Sequence, residues 1–92
     1  MKIVWDEAKR KANLPKHGLD FADAYRVFEG PVVEFDDTRF HCDEQRLIAV
    51  GLLDTLVVLV VHVERGDSIR IISMRKASKH ETNLYYKKLG WR

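Results

Sequence analysis

The longest apolar run of this chain, Leu56 to Val61, constrains its fold more than any other feature. It continues through His62 to Val63 with no charged residue. Only a strand covered on both faces, or a buried helix segment, tolerates such a run. Asp54-Thr55 before it and Glu64-Arg65-Gly66-Asp67 after it are turn-forming, and β-branched residues fill the space between. The segment therefore reads as a central strand between two hairpins. Six apolar residues fall far short of the roughly 20 needed to span a bilayer.

Neighbouring segments complete a sheet. Val32 to Phe35 alternates as a strand and is followed by the polar turn Asp36-Asp37-Thr38. Arg46 to Leu53 is a second strand, Leu56 to Val63 the third, and Ile69 to Met74 the fourth of an antiparallel meander. Ahead of these, Ile3-Val4-Trp5 is a short edge strand. Asp6 caps a helix that should end near Leu14, because Pro15 disfavours helical geometry at the residue before it. Lys16-His17-Gly18 then reads as a turn. Asp20 opens a second helix with Phe21, Ala24, Tyr25 and Phe28 on one buried face, closed by Gly30-Pro31. Ser78 followed by Glu81 is a capping-box signature for a last helix, which carries Leu84, Tyr85 and Leu89 toward Trp91. The expected fold is a single α+β domain over residues 1–92.

Net charge is only +2, but its distribution is uneven. Met1 to Gly18 carries five basic residues against two acids, and Ser68 to Arg92 seven against Glu81 alone. Leu19 to Glu44 carries eight acids against Arg26 and Arg39. Basic ends around an acidic middle either neutralise it or meet to form one face for a polyanion. The single cysteine, Cys42, excludes an internal disulfide and fits a reducing cytoplasm. No secretory leader is expected at the start of this sequence, where Trp5-Asp6-Glu7 breaks into the apolar stretch. No metal or other cofactor is expected: Glu34, Asp36 and Asp37 read as turn and solvated edge, and His41 and His62 as loop and strand positions without partners.

Residues spread over nearly the whole chain carry a resemblance. They are Trp5-Asp6, Lys9, Asn13, Lys16-His17-Gly18 and Phe21. Glu44, Arg46 and Gly51 follow, then Arg70 to Arg75, Ala77, Glu81 and Tyr85. In this order they resemble the BrnT family of bacterial toxins, whose fold is similar to that of the RelE group of messenger-RNA-cleaving toxins. The resemblance implies a small cytoplasmic endoribonuclease paired with a BrnA-like ribbon-helix-helix antitoxin in a hetero-oligomer. That antitoxin would contact operator DNA, the toxin doing so only through it.

Metal-independent RNA cleavage needs a base for the 2′-hydroxyl, an acid for the leaving oxygen, and fixed positive charge for the phosphate. Arg75 ends the fourth strand beside the start of the last helix, a natural anion site. It either binds phosphate there or pairs with Glu81 and pins strand to helix. Glu81 either serves the cap or carries a proton, and His17 is either a hydrogen-bonding post or a proton carrier. Arg75, Glu81 and His17 are thus the catalytic candidates, with Lys16, Arg70, Lys76, Lys79 and Tyr85 as RNA contacts. His80 is second-rank. Strict alternation would point Arg70 and Arg75 to opposite faces unless a bulge intervenes. Trp5, Phe21, Tyr25 and Phe28 read as core. A non-catalytic module docking RNA or an acidic partner is the rival reading.

Overall fold

A computed structural model describes residues 1–39 and 44–90. Strands β1 (Lys2–Trp5), β2 (Val33–Asp36), β3 (Leu47–Leu53), β4 (Leu56–Arg65) and β5 (Ser68–Lys76) form one sheet in the order β1-β5-β4-β3-β2. The antiparallel meander β2 to β5 is as expected. β1 adds parallel to β5, making the sheet mixed and α+β in class. Helices are α1 (Glu7–His17), α2 (Ala24–Glu29) and α3 (Lys79–Lys88), with a 3₁₀ turn at Phe21–Asp23 before α2. Among the described residues, no helix is long and apolar enough to cross a membrane.

The apolar run lies at the centre of the sheet and is buried from Val57 to Val63. Its even positions Val58 and Val60 join Ala49, Leu53, Ile69, Ile71 and Met74 on the face covered by Phe21, Ala24 and Val27. Its odd positions Val57 and Leu59 join Val50, Ala77 and Tyr85 beneath α3. Each fully buried aliphatic of this kind contributes about 1.5–3 kcal/mol. Gly51 permits the close approach of α2, since a Cβ there would lie 2.8 Å from Val27 Cγ1.

Four local details refine or correct the sequence reading. First, α1 passes through Pro15 to His17. A proline near the helix end removes a single intrahelical bond, and Gly18, left-handed at φ 69°, closes the helix by donating its N–H to the Leu14 carbonyl. Lys16 and His17 therefore sit on a helix. Second, the 3₁₀ turn advances the side chains by three residues per turn, so Phe21, Ala24 and Val27 share the buried face. Tyr25 is left 49% exposed and Phe28 half-buried. Third, Leu84 is exposed while Tyr85 is buried, because Tyr85 faces the sheet. Finally, Val61 pairs with Ser73 but His62 with Ile71, so Ile72 is the extra residue of a β-bulge. The bulge resets alternation: Arg70, Ser73 and Arg75 lie opposite Val63, Val61 and Leu59, all on one face.

β1 ends opposite Ile71, and α1 takes over the open edge of β5 beyond it. Buried Asn13 replaces a strand there, accepting from the Met74 N–H (3.3 Å) and donating to the Met74 carbonyl (3.0 Å). It also donates to the Leu19 carbonyl at 3.2 Å. Arg10 holds the next turn through two bonds to Asp20, of 2.8 and 3.0 Å.

Candidate functional site

Docking through Asn13 turns one stripe of α1 toward the sheet. Lys9, Ala12, Asn13, Lys16 and His17 follow the i, i+3, i+4, i+7, i+8 spacing of a single helix face. With Val61, Ile72, Ser73 and Arg75 from the sheet, and Arg39 from the segment after β2, they line an open groove of about 440 Å³. Lysines from the N-terminal basic block and an arginine from the C-terminal one thus meet in one hollow. Arg39, from the acidic middle, joins them, its guanidinium held by Asp37 at 2.8 and 3.0 Å. Asp37 is correspondingly buried, and the Arg39 bonds hold its carboxyl below the usual range. That corrects its reading as solvated edge.

Arg75 sits at one wall of the groove. Its Nη1 and Nη2 donate to Glu81 Oε1 and Oε2 at 2.9 and 2.8 Å, and Nη1 also reaches the Lys76 carbonyl at 3.3 Å. Glu81 accepts from the Ser78 N–H at 2.8 Å while Ser78 Oγ accepts from the Glu81 N–H, completing the capping box. Cap and ion pair therefore coexist on one carboxylate. Hydrogen bonding from Arg75 is the main reason its pKa falls to about 2, against partial burial. The same bonds raise Arg75, opposed by burial and by repulsion from Arg39. With its side chain 43% exposed, Arg75 keeps surface toward the groove.

Glu81 lines a different hollow, of about 210 Å³, with Phe35, Ile48, Val50, Leu59, Leu84 and Tyr85. The Arg75–Glu81 pair separates that apolar hollow from the cationic groove. Arg70 is exposed on the same sheet face as Arg75 but does not line the groove, since four residues of β4 register, about 13 Å, separate them. Lys76 and Lys79 are exposed outside the lining. Tyr85 corrects the sequence reading. It is 1% exposed, donates its hydroxyl to the Pro31 carbonyl at 2.7 Å, and meets Tyr86 edge-on. A ring so enclosed anchors α3 and offers no face to a base.

Lys9, Asn13, Ser73 and Arg39 received no role from sequence. The i, i+4, i+7 spacing of Lys9, Asn13 and Lys16 was a signal for the first two, hidden by ending the helix at Leu14. His41, Cys42 and Trp91 lie outside the described residues.

His62 is not partnerless as expected. It is fully buried at the centre of the sheet, with Nδ1 3.1 Å from the Val60 carbonyl and its ring 5.1 Å from that of Phe28, edge-on. Glu34 and Glu64 lie beside its Nε2.

A search of curated proteins found no match. Comparison with protein-family models matches residues 5–81 to the ribonuclease toxin BrnT of type II toxin–antitoxin systems. The match covers most of the chain, including both walls of the groove, and the chain belongs to the BrnT family of ribonuclease toxins.

Proposed function

We propose that the protein is a metal-independent endoribonuclease that acts in the cytoplasm, inhibits translation by cutting messenger RNA in the groove between α1 and β5, and has a RelE-like arrangement of its elements. The observation that carries this reading is the meeting of Lys9, Lys16, His17 and Arg75 in one hollow. A polyanion threading it meets cations from two elements that only the folded chain brings together.

Arg75 binds the scissile phosphate and stabilises the charge that develops on it. The 2′-oxygen attacks phosphorus, the bond to the 5′-oxygen breaks, and a 2′,3′-cyclic phosphate and a 5′-hydroxyl result. One proton leaves the 2′-hydroxyl and one joins the 5′-oxygen. An imidazole carries one nitrogen that donates and one that accepts a proton, and His17 is the histidine of the groove lining among the described residues. Glu81, ionised and of low basicity at a pKa of about 2, serves the reaction by orienting Arg75. Lys9 and Lys16 hold flanking phosphates, with Arg70, Lys76 and Lys79 contributing a wider positive field. Neutralisation falls to a protein antitoxin of the BrnA-like ribbon-helix-helix kind, which covers the groove.

The test is cleavage of a defined RNA by purified protein in excess chelator, beside His17→Ala and Arg75→Ala. Cleavage that survives chelation, stops at a 2′-deoxy substitution, and falls about 10²–10⁴-fold in His17→Ala supports the reading. Undiminished cleavage by both variants would place the chemistry elsewhere. RNA binding without cleavage would favour a non-catalytic module.

A further inference from the structure

The sheet face opposite Arg75 carries a second constellation, independent of the nuclease groove. His62 and Glu64 are two apart on β4 and so share a face, and Glu34 of β2 is in register with Ala49, the small residue that pairs with Val60. Ala49 leaves room for the Glu34 side chain to cross β3. Glu34 Oε1 lies 3.3 Å and Glu64 Oε2 3.7 Å from His62 Nε2, and all three donor atoms fall within 4.8 Å of one another.

His62 is held for one task. A carbonyl only accepts, so Nδ1 must carry the proton that Val60 receives at 3.1 Å. Phe28 fixes the ring plane from the side. Nε2 is thereby aimed between two carboxylates, yet it is fully buried and has no hydrogen-bond partner in acceptable geometry. A buried polar atom left so costs about 1–3 kcal/mol. An imidazole whose Nδ1–H is tied to a backbone carbonyl, leaving Nε2 free beside carboxylates, is the arrangement of a metal-ligating histidine.

We propose that Glu34, His62 and Glu64 bind one divalent transition-metal ion, for which Zn²⁺ is the fitting probe. One imidazole and two carboxylates suit Zn²⁺, whereas Ca²⁺ and Mg²⁺ favour oxygen donors alone. Bonds of about 2.0–2.2 Å in a tetrahedral site put donors about 3.4 Å apart. The His62–Glu34 distance already matches, and a small movement of the half-exposed Glu64 arm closes the third position. The fourth faces solvent past the two carboxylates, 43% and 46% exposed. The ion ties edge strand β2 to central β4 and lies across the sheet from Arg75, so its role is structural. The site departs from the sequence expectation of no metal because strand register alone assembles it.

The experiment titrates chelator-stripped protein with Zn²⁺ by calorimetry, and with Co²⁺ by visible absorption, beside Glu34→Gln, Glu64→Gln and the double variant. Both glutamates are partly exposed, so the fold is spared. The expected result is one Zn²⁺ per chain, a four-coordinate cobalt spectrum, and more than about tenfold weaker binding in each single variant. Zn²⁺ should raise the melting temperature of the wild type and not of the double variant. Equal binding by wild type and double variant, or no stoichiometric binding by the wild type, overturns the proposal. Neither outcome bears on RNA cleavage, which is read separately.

Discussion

Arg75 and Glu81 meet fork to fork, Nη1 to Oε1 at 2.9 Å and Nη2 to Oε2 at 2.8 Å, across the junction of β5 and α3. This pairing fixes the plane of the guanidinium at the groove wall, which a single-point ammonium cannot reproduce. Arg75→Lys should therefore lose nearly as much cleavage as Arg75→Ala, about 10²–10³-fold, while both fold. Single-turnover cleavage with circular dichroism as a folding control checks this. A Lys variant of near wild-type rate would mean that positive charge alone suffices.

Glu81 links the pair to acid stability. Its folded pKa of about 2 lies below the ordinary 4.5, so its contribution is complete above pH 4.5 and is lost as pH falls toward about 2. Glu81→Gln removes this dependence. It should cost about 1–2 kcal/mol at neutral pH, through the weakened cap and the partly exposed ion pair. Melting curves from pH 7 to 2 should show the wild type losing its advantage over the variant in that window. A constant difference down to pH 2 would contradict the assignment.

Asn13 is the buried joint between α1 and the open edge of β5. Asn13→Ala leaves the Met74 N–H and two carbonyls without their partner, and should cost about 2–3 kcal/mol. Denaturant unfolding measures the loss. Cleavage by the folded fraction should fall as well, since the α1 stripe loses its registration. A cost below about 0.5 kcal/mol would show that water replaces the amide at little penalty.

Legibility followed locality. The apolar run at Leu56–Val61, the turn at Asp54-Thr55 and the capping box at Ser78 and Glu81 were readable because neighbours in sequence determine them. Pro15 misled, because the rule against helical geometry before proline competes with a helix already nucleated and closed by Gly18. The bulge at Ile72 bears no residue signature, so only the pairing of β4 with β5 puts Arg70 and Arg75 on one face. His62 looked solitary for the same reason: Glu34 lies 28 residues away and arrives by strand register. Arg39 was missed because it belongs to a segment whose charge balance is acidic.

Electrostatics gives a further check. Lys16 stands on the groove face of α1, and Lys16→Ala should weaken RNA binding similarly for all sequences. The slope of log affinity against log salt should shrink by about 0.7 for a single phosphate contact on a single strand. Fluorescence anisotropy with an uncleavable 2′-deoxy oligonucleotide between 50 and 200 mM salt, about a fourfold range, resolves that change. An unchanged slope would remove Lys16 from the interface.

The most direct measurement maps the bound nucleic acid on the protein. In an NMR titration with the same uncleavable oligonucleotide, the backbone amides of Lys9, Asn13, Lys16, His17, Ser73 and Arg75 should shift together and saturate at one stoichiometry. Shifts confined to α2 and the outer surface of α3, with these six unmoved, would contradict a groove between α1 and β5 as the RNA site.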